Sequence, residues 1–331
     1  MDNLTHSLTG LALARTGLQK YSPHGTLLLI VAANLPDADG VSWFWGPLKY
    51  LEIHRGYAHS LVGLPLVALL AVLITAAIRR TRLPWLAAWA IACVGVASHL
   101  LLDWTMSYGI RLLLPFSSAW YRLDLFGLVD WVVLAVLLLA WLGPWLGKLV
   151  SNEIGSRPGR GRGLAIFALA FFAAYGGFRA LMHARIMEQL QSRVYVDLLG
   201  GPANRIAAFP ETANPFAWNA VVEGDHAYRM YHLHSFGNFN PDDGMLLYKA
   251  NWTPLLERVS QTKTFRYCSY FTLFQYWQAH PAAGGATAVT LTDLRFGTPG
   301  DGFFRVTALV NAAGQVESIT FGGARRNNNR D

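Results

Sequence analysis

The segment Ser98 to Asp103 reads SHLLLD. His99 and Asp103 are four residues apart, so on a helix they share a face and aim an imidazole and a carboxylate at one point. The pair closes an apolar run, Trp85 to Leu102, long enough to lie across a bilayer. Ionisable groups in such runs are expensive, and each is by default a mark of function. Groups of the same kind stand earlier in the chain: His6, Asp37, Asp39, His54 and His59. Imidazole and carboxylate together suit Zn2+, with Mn2+ and Fe2+ as alternatives. A catalytic zinc keeps one position open for water and lowers the pKa of that water towards neutrality. These residues are enough for one to three ions, and a two-metal site favours phosphoester chemistry.

Two short motifs add detail. In HRGYAHS, His54 to Ser60, the two histidines are five apart and would not align on one continuous helix. Gly56 predicts a turn between them, with a helix starting near His59. Arg55 is a candidate catalytic clamp for a phosphate oxygen, because its planar fork fits that group. In PDAD, Pro36 to Asp39, two carboxylates sit on a turn and can reach a metal from different directions. Asp39 either takes part in the site, as a ligand or beside Arg55 as a catalytic group, or shapes the turn.

The elements that position these groups are those of a membrane protein. Of 331 residues, 53% are hydrophobic and 14% charged, against about 25% charged in soluble domains. Four segments predict spans: Ser60 to Ile78, Trp85 to Leu102, Leu128 to Leu149 and Leu164 to Leu181. Each covers about 27 to 33 Å at 1.5 Å per residue. Two shorter apolar helices precede them: Leu4 to Leu18, with Thr5 as N-cap, and Thr26 to Leu35, ended by Pro36. They predict a tilted pair or a re-entrant hairpin. The two cysteines, Cys93 and Cys268, supply neither a disulfide framework nor a thiolate cluster. The first residues lack the basic region and cleavage site of a removable signal peptide.

Loop charge orients the spans. Arg79, Arg80 and Arg82 separate the first two, and Lys148, Arg157, Arg160 and Arg162 separate the last two. Both loops are therefore expected in the cytoplasm, which accounts for much of the net charge of +7. His59, His99 and Asp103 then fall at outer helix ends. With Lys20 and His24 marking a cytoplasmic-side turn, His6, Asp37 and Asp39 point outward too. After about Arg193 the texture changes to short stretches expected as strands: Pro202 to Phe209, Phe216 to Glu223, Ala227 to Phe236, Val289 to Phe296, Phe303 to Val310 and Val316 to Phe321. Thr253 predicts a helix cap, with Pro254 at an early helical position. Thr264 to Gln278 predicts a second helix. The expected fold is an all-α membrane bundle over residues 1–185, with four long spans and two short N-terminal helices. A soluble, periplasmic α+β domain with a mainly antiparallel sheet follows over 186–325, then a disordered tail over 326–331.

The motifs THSLTG, NLPDAD, HRGYAHS and SHLLLD, in this order, resemble those of the YdjM-like membrane-bound metal-dependent hydrolases. The resemblance covers roughly the first 180 residues. Through that family the chain is distantly similar to zinc-dependent phospholipase C and the single-strand-specific zinc nucleases, helical enzymes with His/Asp zinc sites. The resemblance implies His6, Asp37, His59, His99 and Asp103 as metal ligands, with His54 and Asp39 as ligands or their supports. Ala58 stands where many members have Thr, which touches no ligand. The expected activity is metal-dependent hydrolysis of a phosphoester in a lipid or lipid-linked substrate at the outer face of the bacterial inner membrane. Trp43, Trp45, Trp104 and Trp120 fit an interfacial belt there. Nucleic acid is not an expected partner, because the outer side offers no basic groove with spaced aromatics.

Plainer readings exist for each group. His6 can be a surface or capping residue, His54 and Arg55 an interfacial anchor, and His99 with Asp103 a helix staple. His24 reads as an interface residue. Asp124 and Asp130 are weaker candidates for a second metal. His232 and His234 share a strand face, as surface polar residues commonly do. A metal transporter would place its ligands near mid-membrane in repeated halves, and a purely structural metal would have a closed shell.

Overall fold

Helix α1 (Asn3–Arg15) begins where the Asp2 carboxylate accepts the Leu4 and Thr5 backbone N–H groups at 3.1 and 3.0 Å. Asp2 is thus the N-cap in place of the expected Thr5, whose hydroxyl donates to the same carboxylate at 2.5 Å. The computed structural model describes residues 1–154, 161–195, 202–300 and 302–322, and of 148–154 the backbone alone. Arg157, Arg160 and the tail beyond Gly322 lie outside the described residues. The chain divides into two units, Met1–Ala184 with Phe209–Ala217, and Arg185–Ala208 with Trp218 onward.

In the first unit, α2 (Gly25–Asn34) lies between α1 and α5 (Trp85–Trp104), with Leu28, Leu29, Ala32 and Ala33 fully buried. Two glycines set that spacing. A Cβ on Gly10 of α1 would lie 2.8 Å from the Leu29 carbonyl oxygen, and one on Gly95 of α5 would lie 2.8 Å from the Ala32 Cβ. As expected from sequence, the α-helix stops just before Pro36. The chain continues as a 3-10 helix over Leu35–Trp45, with Pro36 in its first turn, where its missing N–H costs little.

Next come α3 (Pro47–Ile53), a 3-10 turn over Tyr57–His59, and α4 (Gly63–Arg79). The turn that Gly56 predicted lies between α3 and α4, which together bend by 87°. The Ser60 hydroxyl accepts the Gly63 N–H at 2.9 Å. The helix therefore starts three residues later than expected. After α5, the unit is completed by α6 (Trp131–Ile154) and α7 (Arg162–Gln191), whose last turns belong to the second unit. Among the described residues, Gly25–Trp45, Trp85–Trp104 and Arg162–Gln191 are long and apolar enough to cross a membrane. The bent pair Pro47–His59 with Gly63–Arg79 makes a fourth if taken as one span, and Trp131–Gly147 is a shorter apolar helix.

The second unit carries two four-stranded sheets. One runs in order through β1 (Arg205–Pro210), β2 (Ala217–Glu223), β3 (Ala227–His234) and β4 (Met245–Tyr248). The other is an antiparallel meander of β5 (Gln275–Pro281), β6 (Thr287–Asp293), β7 (Arg305–Val310) and β8 (Val316–Phe321). All six expected strands are present. Thr253 caps helix Pro254–Ser260, accepting the Leu256 N–H. The helix expected over Thr264 to Gln278 stops at Phe271, and Gln275 onward is β5. Phe265, Cys268 and Phe271 bury one helical stripe, whereas the following Tyr276 and Trp277 suit a strand paired to β6. Burial pushes the Cys268 thiol up to about 12, so it is an inert core residue.

Helix α6 contains Pro144, which has no N–H for the carbonyl of Ala140 one turn earlier. Arg15, in the last turn of α1, reaches across and donates Nη1 to the Ala140 oxygen at 3.0 Å and the Trp141 oxygen at 3.1 Å. An unpaired carbonyl in apolar surroundings is costly. Arg15→Met is expected to destabilise the protein by about 1–3 kcal/mol. Most of that loss should disappear when Pro144→Ala restores the helical donor. Thermal melts of the two single variants and the double variant in detergent measure the coupling, and simple additivity would refute it.

Candidate metal centre

The site is built on α5. His99 Nδ1 lies 2.7 Å from the Ala33 carbonyl oxygen at the end of α2. A carbonyl only accepts, so Nδ1 carries the ring hydrogen and Nε2 presents a lone pair. Pro36, three residues on, has no N–H to offer this carbonyl in the 3-10 pattern. Asp103, one turn beyond His99 and fully buried, points to the same place. His59 arrives from the turn before α4, and Asp37 from the 3-10 segment after α2.

These four side chains converge. His59 Nε2 is 3.1 Å from His99 Nε2, 3.3 Å from Asp37 Oδ1 and 3.5 Å from Asp103 Oδ2. His99 Nε2 lies 3.6 Å from each of the same two carboxylate oxygens. Ligand atoms about 2.1 Å from one tetrahedral ion stand about 3.4 Å apart, which these separations match. The four donors all fall within 4.8 Å of one another. Asp37, Asp39 and His54 form a second such group, so Asp37 belongs to both. The donor set therefore fits a divalent ion of the zinc type, with a second position beside it.

The supporting groups are equally ordered. Asp39 bridges two histidines: its Oδ1 is 2.7 Å from His54 Nδ1 and its Oδ2 is 3.3 Å from His59 Nδ1. A carboxylate behind an imidazole orients the ring for its ligand. His6 is fully buried and stacks on His99 with centroids 3.8 Å apart. Its Nε2 approaches Asp103 Oδ1 at 3.4 Å, and neither ring nitrogen makes a hydrogen bond. It sits at the rim of the four-residue group. The same Asp103 oxygen also meets the Met1 amine.

Arg55 is buried in a left-handed backbone conformation at φ 57°. Its guanidinium lies 3.2 Å from Asp103 Oδ2, donates to the Gly109 carbonyl at 3.3 Å and covers the Tyr108 ring at 4.6 Å. Arg55, His54 and Asp37 line a cavity of about 350 Å³ together with Gly40, Tyr50 and Leu128. The tyrosines and the Ala33 carbonyl have no place in the sequence reading. Tyr50 was legible as the residue one helical turn before His54, on which it stacks at 4.6 Å. A backbone carbonyl leaves no side-chain signal.

The weaker candidates lie elsewhere. Asp130 starts α6, accepting the Val132 and Val133 N–H groups at 3.0 Å each. Asp124 pairs with Arg122 at 3.0 Å. His24 is exposed at the start of α2. His232 faces Asn219 on the exposed side of β3, where His234 also lies.

Comparison with known proteins places this site in a family. The family described as YdjM inner membrane protein matches residues 1–186, the stretch that holds every candidate ligand above. The chain belongs to the YdjM inner membrane protein family. It is also 25% identical over 213 residues to a Bacillus subtilis (strain 168) protein named "Uncharacterized protein YfhP". That match covers 60% of this chain and 59% of the Bacillus protein, less than two thirds of its length. No solved structure matches the chain.

Elemental analysis of the purified protein is expected to find a divalent metal, lost in His59→Ala, His99→Ala and Asp103→Ala. Asp130→Ala should keep its metal and lose about 1 kcal/mol of stability through the helix cap. Wild-type metal content in both His99→Ala and Asp103→Ala would remove the site.

Proposed function

We propose that this YdjM-family protein is a membrane-bound, metal-dependent hydrolase of a phosphoester in a lipid or lipid-linked substrate. The observation that carries the reading is the pair of histidine Nε2 atoms 3.1 Å apart between the buried Asp103 carboxylate and the half-buried Asp37 carboxylate, with the His99 lone pair turned inward by Ala33. Asp37, His59, His99 and Asp103 would hold the ion, most simply Zn2+, and the group around Asp37, Asp39 and His54 a second. When bound, such a metal supplies Lewis acidity and a water acidic enough to ionise near neutral pH.

The chain's own residues do the rest. Asp39 holds the His59 ring in place, and the Ala33 carbonyl fixes the His99 tautomer. Arg55, on the wall of the cavity, stands where a phosphoryl oxygen would gain charge, with Asp103 and Tyr108 keeping its guanidinium in register. The cavity admits a headgroup-sized ligand. Trp43, Phe44 and Trp45 extend from the segment that carries Asp37 and Asp39 and are 59%, 86% and 67% exposed, as residues in a membrane interface are. The ligands cluster at helix ends, which supports chemistry at a bilayer surface over passage through its middle.

The same reading takes the bent pair and α6 as spans beside α5 and α7, puts the arginine loops in the cytoplasm and the second unit in the periplasm. Alkaline phosphatase fusions after Arg193 are expected to be active and fusions after Arg82 inactive; the reverse pattern would invert this topology. For the chemistry, protein in nanodiscs is expected to hydrolyse a chromogenic phosphodiester or phospholipid analogue. That rate should vanish on chelation, return with Zn2+ or Mn2+, and fall about 10²–10³-fold in Arg55→Met, as for loss of one charge-stabilising donor. Metal-loaded protein inert towards every phosphoester offered would leave a structural or transport role for the ion.

A further inference from the structure

A cavity of about 380 Å³ opens in the second unit between β1–β3 of one sheet and β5 of the other, within the usual range of ligand pockets, roughly 300–1,000 Å³. Tyr228, Trp252 and Trp277 bring three aromatic rings to its wall. Trp277 stacks on Phe265 at 5.5 Å and meets Trp252 edge-on at 5.5 Å. Trp252 stays 54% exposed, yet its indole N–H is held by Glu257 at 2.5 Å. An indole both fixed and exposed is a preformed stacking surface that loses little entropy on binding. Polar groups stand among the rings. Thr272 lines the cavity, is 6% exposed, and its hydroxyl has no hydrogen-bond partner.

The charges narrow the ligand. Glu223 bonds Lys249 Nζ at 2.8 Å and lies 3.7 Å from Arg205 Nε, so its charge is already balanced. Lys249 Nζ sits 4.8 Å over the Tyr228 ring, the position a quaternary ammonium would take in an aromatic cage. A phosphate would face the Glu223 carboxylate with its nearby cations already engaged. A neutral ring with an apolar face and a rim of hydroxyls meets none of these objections. Its C–H face suits an indole, and its hydroxyls both donate and accept beside Gln275, Glu223 and Arg205. We propose that this cavity is a carbohydrate site for a neutral pyranose ring of a glycan.

Saturation-transfer NMR on the full-length protein in nanodiscs tests the assignment. The probes are methyl glycosides of glucose, galactose, mannose and N-acetylglucosamine, with choline and inorganic phosphate as competing classes. At least one glycoside is expected to receive saturation on its ring protons. Its affinity should fall about tenfold, the equivalent of about 1.4 kcal/mol, in Trp252→Leu. Trp252→Phe keeps an aromatic face and should retain binding, which separates loss of stacking from loss of fold. Silence from all four glycosides, undiminished binding in Trp252→Leu, or preferential binding of choline or phosphate overturns the proposal.

Discussion

The hydrogen bond from His99 to the Ala33 carbonyl joins the chemistry of the site to the packing of the bundle. It requires α2 and α5 to run in near-contact, which Gly95 permits by leaving room for Ala32. It also requires α2 to be fixed on its other side, where Gly10 lets α1 approach the Leu29 carbonyl. Small residues at helix crossings are the usual means of close approach where lipid removes the hydrophobic drive for association. Here they have a second effect: a shift of α2 by a fraction of an ångström would alter the direction of the imidazole lone pair.

Charge is the other constraint. Asp37 and Asp103 bring two carboxylates to one largely buried point, against His59, His99, His6 and Arg55. Removing such groups from water is repaid only when each charge has a partner of good geometry. The donors come from several chain segments, so the bundle must be assembled before the compensation is complete. Because Asp37 belongs to both groups, an ion at one position would change the charge seen by the other, and affinity at the two would be coupled.

Much of this was legible in the chain. The i, i+4 spacing of His99 and Asp103 on an apolar run marked the helix and its polar end. The motifs PDAD and HRGYAHS marked the turns that deliver Asp37, Asp39 and His59. The strands after Arg205 were legible because β-branched and aromatic residues alternate there. The path between motifs was less legible. Pro36 read as a helix end, which holds for α2, but it gave no sign of the 3-10 helix that carries the chain on to Trp45. The span read from Ser60 begins at Gly63, because hydropathy does not register where the turn through Tyr57–His59 gives way to helix. The aromatic run after Thr264 carries signals for both helix and strand, and only pairing with β6 decides where one becomes the other. The pairing of Arg55 with Asp103, and of Arg15 with a carbonyl in α6, depends on tertiary approach and has no sequence periodicity.

The carbonyl of Ala33 has a wider consequence. Any residue at that position would present the same oxygen, so its side chain holds no instruction about the site. The instruction rests with the crossing of α2 and α5, which brings a backbone acceptor to an imidazole far away in the chain and so assigns the nitrogen that carries its proton. A survey of the site by side-chain chemistry alone would pass over the group that assigns the tautomer.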